Sequence, residues 1–161
     1  MADISPTTGE QYYSGDWEAV VAVLSVLNIE EGKISEITQE TVNEYQENAD
    51  REIDGVLEDT YHTPLRAMNA VQPDGSTKRV FPGDVRHAAK YWAGALLLLN
   101  EFQQLGQNAT DQATQYMEEA RRRLYAMKRF THRIPGAKRK SHFSHTLPPN
   151  FQPPSIPEPD F

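Results

Sequence analysis

Apolar positions are sparse along this chain, and the longest unbroken group falls within Asp84 to Phe102, DVRHAAKYWAGALLLLNEF. From Tyr91 to Leu99 no residue is polar apart from Tyr91 with its phenol, so a helix over this stretch is apolar on nearly every side and needs cover all round. Lipid is a poor cover, because a membrane span takes about 20 apolar residues and Arg86, Lys90, Asn100 and Glu101 bracket the run. The pattern predicts the central helix of a small bundle, capped by Asp84 and ending near Gly106.

Three other segments carry helical spacing. In DWEAVVAVLSVLN, Asp16 is placed to cap a helix, Glu18 suits its positive end, and Trp17, Val20, Val21, Leu24 and Leu27 share one face. The valines also suit a strand, but length and cap favour the helix. Thr38 to Leu57 places Val42, Tyr45, Ala49, Ile53, Val56 and Leu57 at threes and fours. Gly55 interrupts that pattern at a cost of about 1 kcal/mol relative to alanine, as expected of a close helix approach or a loosened last turn. Asp111 opens the last segment, where Ala113, Tyr116, Met117, Ala120, Leu124 and Met127 form a narrow stripe. Between the second and central helices, Pro64 stops helix and Pro73-Asp74-Gly75 signals a turn; a small hairpin and a plain loop both fit.

The remainder lacks a core of its own. Residues 1–15 read as an N-terminal arm, and residues 131–161 as an extended tail holding seven of the eleven prolines. Phe143, Leu147, Phe151, Ile156 and Phe161 nonetheless recur along that tail every four or five residues, a spacing suited to laying it in a partner's groove. The expected architecture is thus an all-α bundle of about four helices over 16–130, with an arm before it and a proline-rich tail after it.

Composition narrows the function classes. The chain contains no cysteine, which excludes disulfides, thiolate metal sites and cysteine nucleophiles. Its N-terminus has neither a basic region nor an apolar one, so it reads as a soluble intracellular product. The net charge of -7 is unevenly spread: residues 1–60 hold 15 acids against Lys33 and Arg51, while residues 121–145 hold nine bases and no acid. The second helix presents Glu40, Glu44, Glu47 and Asp50. The basic block includes Arg121, Arg122, Arg123, Lys128, Arg129, Lys138, Arg139 and Lys140. Such a block suits phosphates, as in a nucleic-acid-binding regulatory module, or the acidic face of an identical neighbour. Net acidity favours the neighbour.

Signals for chemistry are weak. There is no Gly-rich phosphate loop, HExxH or nucleophile elbow. His142 and His145 lack a third ligand, and His87 reads as a helix-surface or interface histidine. The neighbouring carboxylates Glu52 and Asp54, or Glu58 and Asp59, are what an acid-rich helix produces by chance. Neither an enzyme nor a cofactor is expected.

One pattern goes beyond bundle physics: Ala49, Ile53-Asp54-Gly55, Leu57, Tyr61 and Pro64-Leu65, then Ala88-Ala89-Lys90-Tyr91-Trp92-Ala93. It resembles the head-tail connector, or adaptor, proteins of tailed double-stranded DNA bacteriophages. In that family a helix ending in Ile-Asp-Gly-x-Leu leads through a Tyr-x-x-Pro-Leu turn to an alanine-rich helix. The likeness covers roughly residues 38–102. It departs from the family at Thr60, where arginine is frequent, and in the length of the tail. The resemblance implies a virion protein made in the host cytoplasm. Its subunits form a ring, commonly of twelve copies, beneath the portal, extending the DNA channel and docking the next tail component. By resemblance the tail reaches the portal, with Phe143, Leu147, Phe151, Ile156 and Phe161 as expected anchors, and the basic block meets a neighbouring subunit or channel DNA. Another virion joint, such as a stopper or tail-completion protein, is the nearest alternative.

Overall fold

The computed structural model of the chain describes residues 12–24, 34, 36–103, 106–129 and 133–140. Four helices dominate: α1 (Trp17–Leu24), α2 (Gln39–Leu57), α3 (Gly83–Glu101) and α4 (Gln107–Lys128). Between α2 and α3 lie β1 (Met68–Val71) and β2 (Thr77–Val80), so the architecture is mostly helical rather than all-α. The two strands pair antiparallel from Met68 opposite Val80 to Val71 opposite Thr77. Their turn is closed by Asp74, whose Oδ1 accepts from the Ser76 amide at 2.9 Å and from its hydroxyl at 2.6 Å.

The core is organised as the apolar pattern predicts. Helix α3 packs most extensively on α4, then on α2 and α1. Val85, Ala88, Ala89, Trp92, Ala93, Ala95, Leu97 and Leu98 are all buried on it. Its small residues bring partners close: a Cβ on Gly94 would stand 3.4 Å from Cγ1 of Val23. Gly55, by contrast, is exposed, and a Cβ there would meet nothing within 4 Å among the described residues. The close approach expected at Gly55 occurs instead at Gly94. Helix α2 also continues past Gly55 in regular form, since the Glu58 amide donates to the Asp54 carbonyl at 2.8 Å.

Helix boundaries move relative to the capping signals. Thr38, read as the first residue of the second helix, is its cap, with its hydroxyl accepting from the Thr41 amide. Helix α3 begins at Gly83 with Pro82 as its cap, and α4 begins at Gln107 after Gly106. Asp84 sits in the first turn of α3, pairing with Arg123 across 3.1 Å, and is not the cap. Asp111 lies one turn inside α4, accepting from Gln107 Nε2 at 2.8 Å. Helix α3 stops at Glu101, and Phe102 just after it is buried in the core, 4 % exposed. Gly106, at φ 65°, takes a left-handed conformation open to glycine at little cost.

Both flanking segments contribute to the body. Residues 12–15, assigned to the arm, dock on α2: Gln46 Nε2 donates to Ser14 Oγ at 2.7 Å and to the Gly15 carbonyl at 2.8 Å. Residues 133–140, assigned to the tail, run back along the segment after α2. The His62 amide donates to the Lys138 carbonyl and the Lys140 amide to the Thr60 carbonyl, both at 2.9 Å, flanking an antiparallel bridge between Tyr61 and Arg139. Ile134 is buried in the core. Leu27 and the tail anchors Phe143, Leu147, Phe151, Ile156 and Phe161 lie outside the described residues.

Candidate assembly surfaces

The residues that carry the family resemblance form one joint. Ile53, Leu57, Tyr61 and Leu65 are buried in the same cluster as Ala88, Ala89 and Ala93. Tyr61 reaches the end of α4, donating its hydroxyl to the Met127 carbonyl at 3.1 Å. Pro64 follows a cis peptide bond and is exposed, while Leu65 turns inward. The Leu65 amide donates to the Tyr13 hydroxyl at 2.7 Å, and that hydroxyl donates in turn to Asp54 Oδ1 at 2.6 Å. Asp54 is therefore a partner of the N-terminal segment and not a surface acid.

Asp50, read as part of the solvated acidic face of α2, departs from that expectation. Glu40, Glu44 and Glu47 are exposed on α2, with Glu47 paired to Arg51. Asp50 is half-buried: its Oδ2 accepts from the Tyr13 amide at 3.0 Å, and its buried Oδ1 has no hydrogen-bond partner among the described residues. Burial pushes its carboxyl up to about 7, reinforced by the charges of Asp54 and Glu47 and opposed by the Tyr13 hydrogen bond. Burial likewise raises Asp54. Only the glutamates of the predicted acidic set face solvent fully.

The basic block is partly neutralised within the chain. Arg122 pairs with Glu119, Arg123 bridges Glu119 and Asp84, and Lys128 meets Asp59 at 2.9 Å. The Arg139 guanidinium lies over the Tyr61 ring, 5.8 Å from its centroid. Arg129, Lys138 and Lys140 are exposed. Arg121 is exposed too, with its guanidinium 5.5 Å from the centre of the Trp92 ring. His87 stacks on Tyr91, and burial together with the Arg123 and Lys90 charges lowers its pKa.

Helix α3 is not covered on every side. Leu96 is half-buried and Leu99 is 36 % exposed, although Leu97 and Leu98 are fully enclosed. Beside Leu96 a groove of about 580 Å³ opens where three helices meet. Tyr45 and Arg51 of α2, Trp92 and Leu96 of α3, and Met117 and Arg121 of α4 form its walls. The Tyr45 hydroxyl is held by Glu101 at 2.7 Å. Among the described residues, a strip of the central helix at Leu96 and Leu99 is thus left partly uncovered by the three helices packed on it.

Sequence reasoning missed Tyr13, Gln46 and the groove. Tyr12-Tyr13 next to Gly15, an aromatic pair in an otherwise polar arm, was the available signal for docking. Gln46 had none, since a polar residue on an apolar face is indistinguishable from a surface one until its partners are known. Comparison with protein-family models, curated proteins and solved structures returns no match for this chain. Among the described residues, no helix is long and apolar enough to cross a membrane, and no group of three or more His, Asp or Glu side chains is placed to hold a metal ion.

Proposed function

We propose that this chain is a structural subunit of a virion, a head-to-tail adaptor that assembles as a ring beneath a portal. Each subunit would extend the DNA channel and offer a docking surface for the next tail component. The observation that carries this reading is the joint. The residues that resemble the adaptor family, Ile53, Leu57, Tyr61 and Leu65, are those that tie α2 to α3 and α4 in one core.

Two features support an assembled state. The strip at Leu96 and Leu99 leaves apolar surface on the central helix. The exposed glutamates of α2, the exposed Arg121 of α4 and Arg129 just after it give one subunit unlike charged patches, which suit a head-to-tail ring interface. The nucleic-acid reading is less well supported, because Arg122, Arg123 and Lys128 already face carboxylates of this chain. Mixing the protein with the purified portal of its own phage and imaging the product tests the proposal. A ring stacked on the portal is expected; absence of any association overturns it.

A further inference from the structure

The groove on α3 and the last segment of the chain complement each other. Tyr45 gives the groove an aromatic wall, the edge of the largely buried Trp92 reaches it beside Arg121, and Leu96 and Met117 add apolar surface. Aromatic-lined grooves take proline-rich chains, because a polyproline helix is stiff before it binds and offers alternating flat apolar faces. Residues 148–161, PPNFQPPSIPEPDF, contain six prolines, with Phe151, Ile156 and Phe161 between or after them.

Charge and tether point the same way. The segment carries Glu158 and Asp160 and no base. The groove carries Arg121 and Arg51 against one acid, Glu52, with Arg51 also engaged by Glu47. Lys140 is held at Thr60 by its backbone amide; Arg51 lies about 9 Å of helical rise before the end of α2 at Leu57, and the three residues from there to Thr60 add at most about 10 Å. Residues 141–147 span about 22 Å in polyproline form, enough to cover that distance and turn onto the groove. A tether this short gives an effective concentration of order millimolar, so weak contacts suffice.

We infer that residues 148–161 dock in the groove of their own chain, laying apolar side chains against Trp92, Leu96 and Met117 with their acids towards Arg121. This concerns the free chain and stands apart from the adaptor reading, which the portal experiment tests separately.

The absence of cysteine allows a direct test on the full chain. Ser155→Cys labelled with bimane reports contact with tryptophan by quenching, and the chain has only Trp17 and Trp92. Bimane emission is expected to be quenched several-fold, unchanged by Trp17→Phe, and restored by Trp92→Phe. The pair Glu158→Lys and Asp160→Lys, outside the folded body, and the surface change Arg121→Glu should each restore most of it as well. These keep the test readable should Trp92→Phe disturb the core. Quenching should also persist on dilution to nanomolar. Unquenched emission, quenching that survives both Trp92→Phe and the lysine pair, or quenching lost on dilution would overturn the inference.

Discussion

The Tyr13 hydroxyl donates to Asp54 Oδ1 at 2.6 Å and accepts the Leu65 amide at 2.7 Å, joining the N-terminal segment, α2 and the turn after it through one oxygen. Its ring also meets Phe81 edge-on at 4.8 Å. Tyr13→Phe keeps the ring but strands a buried amide, a loss of about 1–3 kcal/mol. Thermal unfolding should show a drop of several degrees. Tyr45→Phe removes a hydroxyl that bonds Glu101 at the surface and should change stability by less than about 0.5 kcal/mol.

Asp50 makes stability depend on pH in the direction opposite to a salt-bridged carboxylate. Its folded pKa of about 7 lies above its ordinary 3.8. Between these values the folded state binds more protons than the unfolded one, so stability is highest at the acid end and falls as pH rises through 7. Asp50→Asn keeps an acceptor for the Tyr13 amide and removes the titration. Denaturant unfolding from pH 4 to 8 should show a flattened slope, with the variant more stable at pH 8 by about 1–2 kcal/mol once partial exposure is allowed for.

The two glycines of the central helices should respond in opposite ways. Alanine at Gly55 enters open space in a regular helix and should stabilise by about 0.5–1 kcal/mol. Valine at Gly94 pushes past the 3.4 Å gap to Val23 and should cost about 1–3 kcal/mol. Chemical denaturation of the two variants checks both signs.

Leu99→Lys places a charge on the uncovered side of α3. The monomer should retain its melting temperature within the scatter expected of a surface change, about 0.5 kcal/mol. Ring formation, read by sedimentation or imaging with portal, should be lost. Normal rings from this variant would remove the α3 strip from the proposed interface.

Truncation after Lys140 retains Ile134 and the Tyr61–Arg139 bridge. The shortened chain should therefore unfold at the temperature of the full chain yet fail to bind portal. Undiminished portal binding would exclude Phe143, Leu147, Phe151, Ile156 and Phe161 as anchors.

The apolar stripes of α2 and α4 and the all-round apolarity of α3 are legible in the sequence because helical periodicity is local. A residue three or four positions away is a neighbour on the helix whatever the rest of the chain does. Val42, Ala49, Ile53, Leu57, Ala113, Tyr116, Ala120, Leu124 and Met127 are all buried as that spacing requires. The turn at Pro73 to Gly75 is legible for the same reason, since Asp74 closes it on a residue two positions on.

Long-range choices among equivalent groups are not legible there. Asp84 is chemically a good cap, but Arg123, 39 positions away, takes it as an ion-pair partner while the chain enters α3 through Pro82. Asp50 reads as a member of a solvated acidic face alongside Glu47, and Asp54 as a chance neighbour of Glu52; only the docking of Tyr13, 37 and 41 positions earlier, gives the two aspartates a shared partner. Periodicity assigned α2 and α4 their inward faces, whereas in α1 Val23, outside the predicted face, is buried and Val21 is half-buried. Which polar groups would be drawn inside, and which strip of α3 would be left bare at Leu96 and Leu99, depended on how those faces met in space.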